Sequence, residues 1–356
     1  MAQVQTALDS VTGAVASNSL GYTLTHEHLS LDLNSFHCDP PQPLASILKQ
    51  PRITLENLGY IRQYPYSNIY NLSLHDEDAQ LAVRKDLEAF KRFGGGTIVD
   101  NTCHGLGRNL GRMHDISVAT GVKIVAGTGH YLAAKQTAST LAMTVEQMTD
   151  LYSKEIISGV DVNPSLNIKC GFIGEVASGW PLHDFEKKAI KATGEIQEVI
   201  GCGVSFHPGF NEEAPFEIVR LYLEAGGKAS KCVMSHLDLA FVSDEKLLEF
   251  ATLGIFTQFD FFGFECSYFQ YDPHVDMISD AQRIAKVLKL VAEGRENQVL
   301  MSQDIHTKHR LISFGGHGFS HILNNILPRL NVRGLSLEQI DRITIENPSL
   351  WLQGKF

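Results

Sequence analysis

The chain has 356 residues, 44% hydrophobic and 20% charged, with a formal net charge of −10. This is the composition of a soluble globular protein long enough for a large α/β domain, and the acidic balance argues against nucleic acid as a partner. No run approaches the ~18 apolar residues that span a bilayer, so no membrane partner is expected. The opening MAQVQTALDSVTGAVASNSLG has neither a basic segment nor a long apolar core, so no secretory signal is expected. Six cysteines without C-x-x-C spacing fit a reducing cytosol.

In chain order, the first element is the apolar run at about 22–26 in GYTLTHEHLSL. Strand side chains alternate, so His26 and His28 share a face and Glu27 points away. Residues 34–75 follow, an insertion too long to be an ordinary connection; it reads as a partial lid, the alternative being a solvated excursion with no catalytic contact. Ala79, Val83, Leu87 and Phe90 have helical period and run up to Gly94–Gly96, which stop that helix. Further strand-like runs lie at about 96–101, 122–128, 168–175, 202–207, 231–236, 254–260 and 298–304. Between them, Phe216, Val219 and Leu223 mark one helix ahead of Gly226–Gly227, and Ser243 caps another. Eight strand–helix repeats with no internal linker predict a single (β/α)8 TIM barrel over residues 1–356.

An H-x-H triplet alone is weak evidence in a chain with 15 His, because imidazole is as often a satisfied polar residue as a ligand. Recurrence strengthens it. Glu175, His207, His236 and Asp304 also sit at the ends of apolar runs, where a barrel gathers its functional side chains. Four His and two carboxylates suffice for two divalent ions about 3.5–4 Å apart. Without a cation, buried carboxylates would stand unpaired at a cost of several kcal/mol.

Through THEH, HPG, SHLD and QDIHTK, the chain resembles the amidohydrolase superfamily and, within it, the phosphotriesterase family, from Gly21 to ENPSLWL. The resemblance implies that His26, His28 and Asp304 bind the more buried ion, that His207 and His236 bind the more exposed one, and that Glu175 bridges them. Zinc is the first choice; manganese, cobalt or iron would accept the same donors. A hydroxide bridging the two ions would be the nucleophile, with Asp304 as the proton-transferring catalytic residue. Glu175 stands where organophosphate-hydrolysing members carry a carboxylated lysine, which turns the expectation away from phosphotriesters. The matching branch implies amide hydrolysis, with N-acetyltaurine and related N-acetyl amino acids as substrates. The alternatives are a lactonase or phosphoester hydrolase on the same centre, or a metal-binding protein without turnover.

Other residues are expected around this centre. Asp238 could orient an imidazole, although a loop Asp is as often a turn residue. His306 reads as a solvated side chain at the cavity mouth, and His130 and Tyr131 as substrate contacts. Gly315, Gly316, His317 and Gly318, near Lys308 and Arg310, form a glycine-rich turn suited to an anionic substrate group. The aromatic FDFFGFECSYF is either a pocket wall or packing beneath the insertion. The expected partner is a small molecule, with a homodimer as the assembly to look for.

Overall fold

The computed structural model describes residues 7–354. Its centre is a parallel sheet of eight strands taken in chain order: β1 (Tyr22–Glu27), β2 (Gly95–Asp100), β3 (Lys123–Thr128), β4 (Phe172–Ala177), β5 (Gly203–His207), β6 (Cys232–Met234), β7 (Phe256–Phe259) and β8 (Val299–Met301). β8 returns to β1, where His26 N–H donates to Ser302 Oγ at 2.9 Å and Asp304 N–H to the His26 carbonyl at 3.0 Å. The sheet is thereby nearly closed into the predicted barrel, with helices around it.

Two apolar clusters separate across the sheet. Val99, Val125, Phe172, Val233 and Leu300 pack with Trp351 in one, while Ile98, Ile124, Ile173 and Val204 pack with helix residues such as Leu87 and Phe90 in the other. Alternation along each strand sends neighbouring residues to opposite faces. The inner cluster plugs one end of the barrel, with Trp351 Nε1 donating to the Val204 carbonyl at 3.1 Å. That leaves the inner positions at the other end for polar side chains.

The helix α1 (Glu77–Arg92) starts at Asp76, whose carboxylate accepts from Ala79 N–H at 3.0 Å, and buries all four predicted apolar positions. Of the three glycines after it, only Gly94 terminates the helix; Gly95 and Gly96 belong to β2. A Cβ on Gly96 would lie 2.0 Å from the Leu20 carbonyl oxygen, so glycine there permits close approach of β1 and β2. In α2 (Ala214–Glu224) the buried face is Ile218, Val219 and Tyr222, and the expected Leu223 is exposed. Ser243 caps its helix as expected, accepting from Lys246 N–H at 3.1 Å.

β4 starts at Phe172 rather than 168. Leu166–Ile168 instead pair antiparallel with Val160–Asn163, because Pro164 and Ser165 supply a turn between the two extended runs. β6 and β8 end before their candidate ligands, since His236 and Asp304 adopt left-handed backbone at φ 57° and 46°. No helix among the described residues is long and apolar enough to cross a membrane.

Candidate metal centre

All six candidate ligands meet at the open end of the barrel. His28 Nε2 lies 3.1 Å from Asp304 Oδ1 and 3.5 Å from Glu175 Oε1, and His26 Nε2 lies 3.8 Å from Asp304 Oδ1 and 3.6 Å from Glu175 Oε2. His207 Nδ1 is 3.0 Å from Glu175 Oε2 and His236 Nε2 is 3.7 Å from it. Two subsets converge closely enough to hold an ion: His26, His28 and Asp304, and His26, Glu175 and His236. The first is the grouping expected for the buried ion. In the second, His26 joins Glu175 and His236, and the expected His207 stands beside them, its Nδ1 3.0 Å from Glu175 Oε2 and 2.8 Å from His236 Nε2.

The donor set fits a cation. Three imidazoles are fixed through Nδ1, His26 by Ser235 Oγ at 3.0 Å, His28 by Thr102 Oγ1 at 2.9 Å and His236 by Asp260 Oδ1 at 2.8 Å, which presents Nε2 to the cluster. His26 Nε2 and Asp304 Oδ1 are buried without a hydrogen-bond partner, an arrangement a metal ion resolves. Burial lowers the His28 pKa, but Asp304, Glu175 and Asp100 outweigh it and push it up to about 9, a sign of a negative local field. Burial likewise opposes ionisation of Glu175 and Asp304; the surrounding imidazoles hold both carboxyls well below their usual range.

Above the cluster lies a cavity of about 280 Å³, lined by Leu31, Leu33, Phe210 and Phe261 among others. Phe36 and Tyr66 of the insertion also line it, so the segment 34–75 does reach the site. From the aromatic loop, Phe261 and Phe269 form wall, and Phe269 also packs on Tyr66 at 6.2 Å between ring centres, so both readings of that loop hold.

The model of the phosphotriesterase family matches residues 6–352. The chain belongs to the phosphotriesterase family. Phosphotriesterase-related proteins of Drosophila melanogaster and Aedes aegypti are 55% and 56% identical to it, over 99% and 95% of this chain and 99% and 96% of their own. Among solved structures, a resiniferatoxin-binding protein from Rhodobacter sphaeroides superposes with a TM-score of 0.91 at 28% identity, covering 98% of this chain and 95% of that one. Family membership points to a metal-dependent hydrolase.

Within this family member, several expectations are corrected. Asp238 does not reach an imidazole: its Oδ2 accepts from Arg283 Nε and Phe261 N–H, both at 2.9 Å. The carboxylate that orients His236 is Asp260, which the sequence reading missed. His306 is buried rather than solvated, stacked on Tyr66 and bonded to its hydroxyl at 3.0 Å, with Nδ1 3.1 Å from Asp304 Oδ2. Tyr131 lines the cavity, and its hydroxyl makes no hydrogen bond among the described residues. His130 does not line it; it lies behind, with Nδ1 bonded to Tyr152 and its pKa pushed down to about 3, chiefly by burial. Gly316 and His317 line a separate cavity, and Lys308 pairs with Asp76, so the glycine-rich turn offers no contact in the metal cavity.

Glu27 was also missed. It faces away from the cluster as expected, but accepts from Ser302 Oγ at 2.7 Å, Gln303 N–H at 2.8 Å and Ile305 N–H at 2.9 Å. It therefore grips both sides of Asp304. No local pattern signals this, because the partners lie 275 to 278 residues away.

Proposed function

We propose that this cavity hydrolyses the amide bond of a small N-acyl compound on two divalent ions, with zinc first among them and N-acetyltaurine and related N-acetyl amino acids the first substrates to test. The observation that carries the hydrolase reading is that two buried atoms of the ligand cluster, His26 Nε2 and Asp304 Oδ1, have no hydrogen-bond partner. The amide reading rests on the sequence resemblance, in which Glu175 stands where organophosphate-hydrolysing members carry a carboxylated lysine. A cavity of about 280 Å³ falls just below the ~300 Å³ lower end of ordinary ligand pockets, which favours a small substrate.

His26, His28 and Asp304 would hold one ion and His207 and His236 the other, with Glu175 between them. Divalent ions bound there supply Lewis-acid polarisation of the scissile carbonyl and a water acidified towards neutrality. Asp304, kept ionised by His306 and His28, accepts a proton on its carboxylate and returns it to the departing nitrogen. His306 holds the other oxygen of that carboxylate and is itself held by Tyr66. The free Tyr131 hydroxyl donates to the substrate. Among the described residues no Lys or Arg lines the cavity, so the acyl group sits against the apolar wall and the anionic end faces the mouth.

The test is metal stoichiometry plus turnover of N-acetyltaurine, measured as released acetate and taurine, against lactones and aryl phosphotriesters. Amide turnover that leads the panel supports the reading. Hydrolysis of lactones or phosphotriesters alone replaces the substrate. Two bound ions with no turnover leave a metal-binding protein.

A further inference from the structure

A second cavity, polar and about 160 Å³ in volume, is lined by Arg62, Phe264, Glu265, Arg310, Gly316 and His317. It brings together the insertion, the loop after β7 and the loop after β8, and no step proposed above uses it.

Arg310 is 4% exposed. Its Nη2 donates to the carbonyls of Phe262 at 2.9 Å and Gln303 at 2.8 Å, while Nη1 is buried without a partner. Among the described residues, neither Arg310 nor Arg62 forms an ion pair with a carboxylate. Burial presses the Arg310 pKa down to about 10, against distant help from Asp304 and Glu27. A buried guanidinium with neutral acceptors on one edge and nothing on the other is an incomplete site.

The surroundings shape it for an anion. Arg62 reaches in from the insertion, where it donates to the Gly315 carbonyl. The guanidinium of Arg310 lies 5.0 Å from the centre of the Phe264 ring, which leaves the guanidinium edge for in-plane acceptors. A Cβ on Gly316 would lie 2.1 Å from the Arg310 carbonyl, so only glycine lets that loop run against the floor. Among the described lining residues the one carboxylate, Glu265, is exposed and already accepts from Asp280 N–H at 2.8 Å.

We propose that this pocket binds a small oxyanion, such as phosphate or a sulfonate, between Arg62 and Arg310. The site is separate from the substrate cavity but coupled to it. Arg310 holds the carbonyl of Gln303, next to Asp304, and Phe264 packs on His306 at 6.0 Å between ring centres. Occupancy completes the hydrogen bonding of Arg310 and thereby steadies the loop that carries Asp304.

The experiment is calorimetric titration of the metal-replete protein with inorganic phosphate and, separately, methanesulfonate, for wild type, Arg62→Ala, Arg310→Lys and Asp304→Asn. One saturable site is expected, weakened about tenfold by loss of a charge-assisted contact in Arg62→Ala and retained in Asp304→Asn. Arg62 is exposed, so its variant reports on binding even if Arg310→Lys fails to fold. Absence of saturable binding overturns the proposal. So does binding lost in Asp304→Asn but unchanged in Arg62→Ala, or phosphate acting only as a competitive inhibitor, since either places the anion at the metal centre.

Discussion

Replacing Asp260 by Asn preserves shape while removing one acceptor from a fully committed carboxylate. Oδ1 accepts from the His236 N–H at 3.0 Å and lies 2.8 Å from His236 Nδ1; Oδ2 accepts from Gln258 Nε2 at 2.9 Å and lies 3.3 Å from His26 Nδ1. With the amide oxygen kept on His236, the new NH2 meets the NH2 of Gln258. Gln258 gains nothing by turning over, because its Oε1 accepts from Thr25 Oγ1 at 2.6 Å. One buried donor is therefore stranded, at about 1–3 kcal/mol. Carboxylates that orient metal-binding imidazoles are worth about 10–100-fold in metal affinity, which is about 1.4–2.8 kcal/mol, so the two routes agree. Chelator competition should show metal held at least about tenfold more weakly, and the metal-replete variant should melt below wild type. An Asp260→Asn protein that holds metal as tightly as wild type and melts with it would refute the assignment of Asp260 as the positioning residue.

Tyr131→Phe removes only a hydroxyl free of protein partners and should lower kcat/KM about tenfold, the worth of one hydrogen bond, with an unchanged melt; full activity would take Tyr131 out of substrate binding. Glu27→Gln leaves one of three buried donors around Asp304 unmatched, costing about 1.5–3 kcal/mol in denaturant unfolding together with activity. Stripping metal should lower the melting temperature, since free ion at a hundredfold excess over Kd contributes about 2.7 kcal/mol; a melt indifferent to chelation and re-addition contradicts the metal centre. Asp86, buried with Ile312 N–H as its donor, has its pKa pushed up to about 7 by burial. The folded chain then binds a proton that the unfolded chain has released, so this contribution is full below about pH 4 and is lost as pH rises through about 7, by up to 1.4 kcal/mol per unit. Asp86→Asn should flatten that slope, read as unfolding free energy at pH 5 and pH 8, and an undiminished slope would count against it.

The barrel and the convergence of the candidate ligands are legible because both obey local rules. Strand runs alternate with helical periods, and His26, Glu175, His207, His236 and Asp304 stand at or just past strand ends, where the sheet geometry forces convergence. What was not legible depends on contacts that no window of sequence contains. Sequence proximity points to Asp238, two residues away, as the helper of His236, yet Asp260 holds it from the end of the adjacent strand, 24 residues on. The turn chemistry of Gly316 and His317 predicts exposed N–H groups but not which cavity they face. Glu27 is the sharpest case. Alternation turns it away from the ligand cluster, which leaves it without a visible role in the sequence. Its carboxylate instead fixes residues 302, 303 and 305, and so holds Asp304 at φ 46°, a backbone state that a non-glycine residue adopts only when its surroundings impose it. In H-E-H the two histidines face the ligand cluster from one side of the strand, and the residue between them, by reaching the other way, sets the position of the last candidate ligand.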